Sequence, residues 1–267
     1  MRDDSHPPLR IYLIRHGQTE WSLSGQCTGL TDIGLTTVGE RESGSLVARL
    51  CGTVFSQVLV SPLQRAQRTC ELAGLGAVAE IDHDLVETDY GNYEGRYSAD
   101  VRAEHPAWSL FRDGCPNGET AGQVCDRADR VIRRLRQRSG NVAIFSHGQF
   151  GRALAARWLG MPVVQAQHFV LDTASISILA MASAQPEVAV IALWNSPHGI
   201  AADVTDDDAI RVADRERRSA IQRWENEGGD IQRTPPSARA GKPVSEAHEH
   251  GSRVGIGGAQ HGFRKAC

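Results

Sequence analysis

Short apolar runs alternate with helix-forming segments between residues 9 and 200, and this alternation constrains the fold more than any other feature. The runs predict strands at 9–14, 57–61, 77–81, 142–145, 175–182 and 187–194. Helical spacing of apolar residues predicts helices at 36–52, 98–104 and 119–139, and directly after residues 61 and 147. Strands that alternate with helices form a largely parallel sheet covered on both faces. We therefore predict an α/β fold, a three-layer α/β/α sandwich with a mostly parallel mixed sheet.

The composition is typical of one sizeable domain inside the cell. The chain has 267 residues, 40% of them hydrophobic, and a formal net charge of -3. A near-neutral balance gives no long-range attraction to nucleic acid or to anionic membranes. No apolar run approaches the roughly 20 residues of a membrane span, and the polar first eight residues do not form a signal peptide. We expect a cytoplasmic protein that binds neither nucleic acid nor membrane.

The ends of the chain differ in composition from its middle. We expect 1–8 to be a flexible N-terminus, 9–200 to form the folded domain, and 201–227 to form a possible exposed helix. The segment 228–267 is rich in Gly, Pro, Ser and His, so we expect a disordered tail. The six cysteines have no CxxC spacing, which predicts reduced thiols.

The helix predicted at 119–139 carries six arginines. We interpret them as a solvated helix face with cations near its C-terminus, where the helix dipole favours positive charge, rather than as a surface for nucleic acid. These residues are Arg127, Arg130, Arg133, Arg134, Arg136 and Arg138.

Polar side chains follow three of the predicted strands at the points where the strands end. Arg15 and His16 follow the first strand, and His147 follows a later one. Ser61 ends the second strand and, with a proline after it, is a good N-cap for a helix that carries Arg65 about one turn in. Because carboxyl ends of parallel strands meet at one sheet edge, these groups should lie together. Guanidinium groups match phosphate oxygens, so the pattern predicts an anion pocket.

An imidazole among cations should have a lowered pKa and be neutral, so His16 is a candidate nucleophile toward phosphorus. His147 is better placed to be protonated when phosphate arrives and to stabilise its charge. Glu87 is the candidate proton donor, although its reference pKa of about 4.3 would have to rise. A lone histidine at a strand end is more often structural, and only the combination favours catalysis. We see no carboxylate cluster that would bind Mg²⁺, and we predict neither metal nor cofactor.

These motifs resemble those of the histidine phosphatase superfamily, the phosphoglycerate mutase-like clan, over residues 9–194. The resemblance implies a phosphoglycerate mutase-like fold, with 9–200 as the histidine phosphatase domain. It also implies that His16 is phosphorylated, that Arg15 and Arg65 bind phosphate, and that Glu87 donates the proton. His147 matches the second histidine of the family.

Other segments are similar to sedoheptulose-1,7-bisphosphatases and related actinobacterial acid phosphatases, namely 17–22, 25–32, 89–95 and 112–120. In that branch an arginine at the position of Arg152 helps to hold the substrate. Ser22 stands where many members have Asn, and a serine hydroxyl donates over a shorter reach. The candidate substrate-binding residues are Ser22, Thr28, Ser61, Tyr90, Arg152 and Thr173.

The resemblance implies a metal-independent phosphatase that hydrolyses small phosphate monoesters, in particular sugar phosphates, through a phosphohistidine. A phosphoglycerate mutase is an alternative, but the short segment between Gly95 and Gly118 predicts a less covered site, which favours hydrolysis. An inactive protein that only binds phosphorylated ligands is a further alternative, although such a protein has no need of Glu87. The expected partner is a small phosphorylated metabolite, and the oligomeric state stays open, with a homo-oligomer among the possibilities.

Overall fold

The computed structural model describes residues 7–197, and a six-stranded sheet forms its centre. Parallel pairing joins β1 to β4, β4 to β2 and β2 to β3, whereas β5 and β6 run antiparallel to their neighbours. The order across the sheet is β3-β2-β4-β1-β5-β6. The strands are β1 (Arg10–Arg15), β2 (Phe55–Val60), β3 (Ala79–Ile81), β4 (Asn141–Ser146), β5 (Ile176–Met181) and β6 (Ala189–Ser196).

Helices cover both faces of this sheet, because alternate strand residues point to opposite faces. Ile11 and Leu13 of β1 belong to one buried cluster, and Ile14 belongs to another. The predicted three-layer α/β sandwich with a mostly parallel mixed sheet is confirmed. The helices are α1 (Glu20–Ser24), α2 (Thr37–Leu50), α3 (Gln64–Leu72), α4 (Ser98–Glu104), α5 (Leu110–Asp113), α6 (Ala121–Leu135) and α7 (Gly148–Trp158).

The start of α3 differs from the prediction. Ser61 was expected as its N-cap, but α3 begins at Gln64, and the capping residue Leu63 makes no side-chain cap bond. The carboxylate of Asp32 accepts from the Gln64 N–H at 2.7 Å instead, so a distant loop satisfies this helix end. The hydroxyl of Ser61 accepts from Leu63 N at 3.3 Å and therefore stays beside the strand end.

The start and one face of α6 also differ from the prediction. The helix begins at Ala121 because Thr120 forms a capping box with Gln123. The prediction of a solvated arginine face is wrong for Arg127, which is 5% exposed. The side chains of Arg130 and Arg134 remain nearly half exposed, at 48% and 47%.

Several expectations concern segments outside residues 7–197. The flexible N-terminus falls there almost entirely, as do the helix at 201–227 and the tail at 228–267. Within the described range, no helix combines the length and hydropathy that crossing a membrane needs. No disulfide joins the five cysteines of this range, namely Cys27, Cys51, Cys70, Cys115 and Cys125.

Candidate active site

A small cavity of about 20 Å³, partly open to solvent, lies where β1 ends and α7 begins. Arg15 and His16 contribute the end of β1, and Gly148 and Gln149 contribute the start of α7. Glu87 supplies a carboxylate. The other walls are uncharged side chains: Ser22, Gln26, Cys27, Thr28, Tyr90 and Ser98. The cavity thus combines a cation, an imidazole and one acid with neutral hydrogen-bonding groups.

The His16 ring is held as a single tautomer. Its Nδ1 lies 2.7 Å from the carbonyl oxygen of Gly17, and a carbonyl can only accept, so Nδ1 carries the proton. Burial, followed by the charges of Arg65 and Arg15, lowers the pKa of His16 well below 6.5. At neutral pH the ring is therefore uncharged, and its Nε2 has a lone pair for attack.

The loop after His16 is fixed by close packing against α2 and α3. A Cβ on Gly17 would lie 2.4 Å from both Gly39 O and Ser43 Oγ, so only glycine allows this approach. The Gly17 N–H donates to Thr69 Oγ1 at 3.0 Å. No role was predicted for Thr69 of α3, and this contact shows that it positions the loop after His16.

His147 and Arg65 are directly bonded beside His16. Arg65 Nε donates to His147 Nδ1 at 3.2 Å, and His147 Nε2 then donates to Ser61 Oγ at 2.7 Å. The rings of His147 and His16 are 5.2 Å apart. Burial and the charge of Arg65 lower the pKa of His147 well below 6.5, so it is neutral in this arrangement. Its protonation on arrival of phosphate stays a prediction.

Arg65 also holds the loop that contains Thr28 through hydrogen bonds to its backbone. Its guanidinium donates to Thr31 O at 2.9 Å and to Gly29 O at 2.7 Å. The Glu94 carboxylate accepts from the N–H groups of the same two residues, at 2.9 Å from Gly29 and 3.1 Å from Thr31. Burial lowers the pKa of Arg65 to about 10, which leaves it charged near neutral pH. No role was predicted for Glu94, which lies seven residues after Glu87 in the chain.

Glu87 accepts three backbone N–H groups. Its Oε1 accepts from Thr88 N and Phe150 N, both at 2.8 Å, and its Oε2 accepts from Gln149 N at 2.9 Å. Two of these donors belong to the first turn of α7, whose N-cap His147 makes no side-chain cap bond. Burial raises the pKa of Glu87, against the opposing effect of the N–H groups and Arg65. The carboxylate is therefore held rigidly and keeps its proton to higher pH than an exposed glutamate.

Arg15 is buried beside the start of α7. Its Nη1 donates a hydrogen bond to Leu171 O at 2.6 Å. A Cβ on Gly148 would lie 3.2 Å from Arg15 Cζ, so glycine at this position lets the guanidinium lie against the helix start.

Three of the candidate substrate-binding residues line the cavity, namely Ser22, Thr28 and Tyr90. The Ser22 hydroxyl donates to Thr19 O at 3.0 Å and accepts from Thr19 N at 2.9 Å, so it also closes the capping box of α1. The Thr28 hydroxyl donates to Gln26 O at 3.1 Å.

The remaining candidates lie off the cavity wall. Arg65, His147 and Ser61 form the bonded group beside His16 described above. Arg152 donates to Ala166 O at 3.1 Å and to Gln149 Oε1 at 2.6 Å, so it reaches the cavity through Gln149. The Thr173 hydroxyl is buried, and within residues 7–197 it has no hydrogen-bond partner.

Known proteins share this sequence pattern. The profile of the histidine phosphatase superfamily (branch 1) matches residues 11–195. An acid phosphatase of Mycobacterium tuberculosis is 38% identical over 198 residues, which cover 72% of this chain and 97% of that protein. Sedoheptulose 1,7-bisphosphatase of Saccharomyces cerevisiae is 37% identical over 187 residues, which cover 58% of this chain and 69% of that protein.

Solved structures share the fold. The product of an open reading frame of Mycobacterium tuberculosis superposes with a TM-score of 0.67 at 35% identity, covering 71% of this chain and 98% of that chain. A putative α-ribazole-5′-P phosphatase of Escherichia coli superposes with a TM-score of 0.63 at 28% identity, covering 73% and 100%. The resemblance predicted from the motifs is confirmed, and this chain belongs to the histidine phosphatase superfamily.

Proposed function

We propose that this protein is a metal-independent phosphatase that hydrolyses small phosphate monoesters, in particular sugar phosphates, through a phosphohistidine at His16. The observation that carries the proposal is the hydrogen bond from His16 Nδ1 to Gly17 O, which leaves Nε2 as the nucleophile. Arg15 and Glu87 share the cavity with it. Relatives bear the names acid phosphatase, sedoheptulose 1,7-bisphosphatase and adenosylcobalamin/alpha-ribazole phosphatase, all of which are phosphate ester hydrolases.

The reaction proceeds in two steps. The Nε2 lone pair of His16 attacks phosphorus, and the bond to the leaving oxygen breaks while Glu87 gives that oxygen a proton. Water then loses a proton to the Glu87 carboxylate and attacks the phosphohistidine, which releases inorganic phosphate and restores both groups. Arg15 and Arg65 neutralise the phosphoryl oxygens, as the transition state of phosphoryl transfer requires.

Two features support the metal-free and sugar-phosphate parts of the proposal. The charges of Arg15 and Arg65 act at His16, so cations of the chain itself are placed to neutralise the phosphoryl oxygens. The neutral hydroxyl and amide groups of the cavity wall match the hydroxyls of a sugar. Cytoplasmic location, a homo-oligomeric state and the lack of a nucleic-acid partner remain predictions of the sequence.

The first test measures hydrolysis of p-nitrophenyl phosphate with and without EDTA. We expect activity to survive EDTA and His16→Ala to abolish it, since no other group supplies the nucleophile. His105→Ala is the matched control, because this exposed histidine lies outside the cavity and should leave activity intact. Full loss of activity in EDTA would overturn the metal-free mechanism.

The second test separates the phosphatase from a mutase. The protein is mixed with 3-phosphoglycerate, and we expect free phosphate rather than 2-phosphoglycerate. Protein quenched with detergent at alkaline pH should carry base-stable, acid-labile phosphate that His16→Ala lacks. Formation of 2-phosphoglycerate as the main product would make the protein a mutase.

A further inference from the structure

Arg127 of α6 is buried against the segment that leads into Glu87. Its Nη1 donates to Asp84 O at 2.9 Å and to Val86 O at 2.6 Å. Its Nη2 lies 3.4 Å from the carbonyl oxygen of Glu87 itself. One side chain thus contacts three carbonyls within four residues that end at the candidate proton donor.

The same guanidinium lies over a residue that binds the Glu87 carboxylate. Arg127 Cζ is 4.2 Å from the centroid of the Phe150 ring, a cation–π contact. The N–H of Phe150 donates to Glu87 Oε1 at 2.8 Å. Arg127 therefore contacts both the backbone of the acid and the helix turn that holds its carboxylate.

Glu119 fixes the plane of this guanidinium. Arg127 Nε donates to Glu119 Oε1 at 2.9 Å, and Nη2 donates to Oε2 at 2.6 Å, as a two-pronged charged pair. The Glu119 carboxylate also accepts from Asp89 N at 3.0 Å, on the other side of Glu87. The pair therefore holds the chain both before and after the acid, and neither residue lines the cavity.

We propose that Arg127 and Glu119 are a positioning pair that holds Glu87 for proton transfer, an inference that rests on the proposed role of Glu87 as the acid. Proton transfer depends on a donor placed within hydrogen-bond reach of the leaving oxygen. The two arginines that are proposed to bind phosphate are held by other groups than this pair. Arg15 donates to Leu171 O, and Arg65 donates to Thr31 O. Loss of the pair weakens acid catalysis more than it weakens binding of the phosphoryl group.

The test compares two substrates whose leaving groups differ in their need for a proton. An alkyl phosphate requires one as its oxygen departs, whereas p-nitrophenolate is stable without it. A lysine at position 127 keeps the charge but lacks the planar fork. For Arg127→Lys we expect kcat/KM to fall at least about tenfold for the alkyl ester, because a positioned acid contributes roughly 10²- to 10⁴-fold. For p-nitrophenyl phosphate it should fall less than about threefold.

Two further variants make the outcome decisive. Arg130→Lys alters a neighbouring exposed arginine and should change neither rate. Glu119→Gln keeps the shape of the carboxylate and should show the same leaving-group dependence. If Arg127→Lys does not fold, Glu119→Gln tests the positioning role in its place. Equal losses on both substrates, measured on folded protein, would overturn the positioning role.

Glu87→Gln separates a failure of this proposal from a failure of the proposed function. If Glu87→Gln shows the leaving-group dependence and both pair variants do not, the pair is only structural and the mechanism stands. If Glu87→Gln itself shows no such dependence, Glu87 is not the acid, and the positioning proposal fails with that assignment.

Discussion

At the scale of single residues, the nucleophile and the acid of the proposed reaction, His16 and Glu87, have pKa values that burial shifts in opposite directions. Burial disfavours the charged form of each, so the pKa of His16 falls and that of Glu87 rises. Both groups are consequently uncharged over a shared range of pH. In that range the nucleophile has its lone pair and the acid has its proton.

This pairing predicts a bell-shaped pH profile. For an alkyl phosphate, kcat/KM should have its acid limb below pH 6.5, the ordinary pKa of histidine, and its alkaline limb above pH 4.5, the ordinary pKa of glutamic acid. It should fall on the acid side as His16 gains a proton, and on the alkaline side as Glu87 loses one. The measurement is the pH profile of wild type beside that of Glu87→Gln, which should lack the alkaline fall. An alkaline fall that is already centred at pH 4.5, the ordinary pKa of a glutamic acid, would contradict the shift of Glu87.

Motif spacing located the chemical groups but not their bonded partners. Arg15, His16 and Glu87 lie on one cavity as expected, because strand ends and short loops fix where they emerge. Arg127 lies three residues after Val124 and four before Val131, so helical spacing already placed it on the buried face. Its charge led to the wrong prediction, because its carbonyl partners belong to a loop about 40 residues away in the chain.

At the scale of elements, the loop at 28–31 is held by two opposite charges. Arg65 binds the carbonyls of Gly29 and Thr31, and Glu94 binds their N–H groups. A Cβ on Gly29 would lie 2.6 Å from Glu94 Oε2, so the carboxylate packs against the backbone. The position of Arg65 near His147 is thus coupled to a loop that also lines the cavity.

Glu94→Gln tests this coupling. Hydrogen bonds to a charged group contribute about 1.5–3 kcal/mol, and the variant loses the charge, so we expect inorganic phosphate to inhibit roughly tenfold less tightly. The physical reason is that Arg65 loses the fixed carbonyls that orient it. The inhibition constant of phosphate is the measurement, and Glu104→Gln, a surface carboxylate paired with Arg96, is the control. Unchanged phosphate inhibition would show that the loop does not depend on Glu94.

Element boundaries were predictable where local chemistry sets them and not where distant groups do. The helix at Ser98–Glu104 was predicted with its observed bounds. The start of α3 was not, because Asp32 from another loop caps it. The directions of β5 and β6 could not be predicted either, because an apolar run is equally consistent with a parallel and an antiparallel strand. Both strands are antiparallel to their neighbours.

At the scale of the whole molecule, the candidate site residues described above lie between positions 15 and 173. The last strand of the sheet, β6, ends at Ser196. Hydrogen bonds connect the end of β6 to α2, because Arg49 Nη2 donates to Ser196 O at 3.0 Å and to the Ser196 hydroxyl at 2.9 Å. The family profile ends at residue 195, in the same strand. From these three observations we predict that the catalytic unit is complete before residue 198.

We therefore expect a chain ending at Pro197 to fold and to hydrolyse p-nitrophenyl phosphate with kcat/KM within about threefold of the full chain, because its buried core and charged site are intact. Thermal unfolding and steady-state kinetics of both chains provide the measurement. A chain ending at Ala182 is the matched control: it lacks β6, exposes the edge of β5 and the ring of Trp158, and should not fold. Loss of activity in the chain that ends at Pro197, with folding retained, would mean that residues beyond 197 contribute directly to the site.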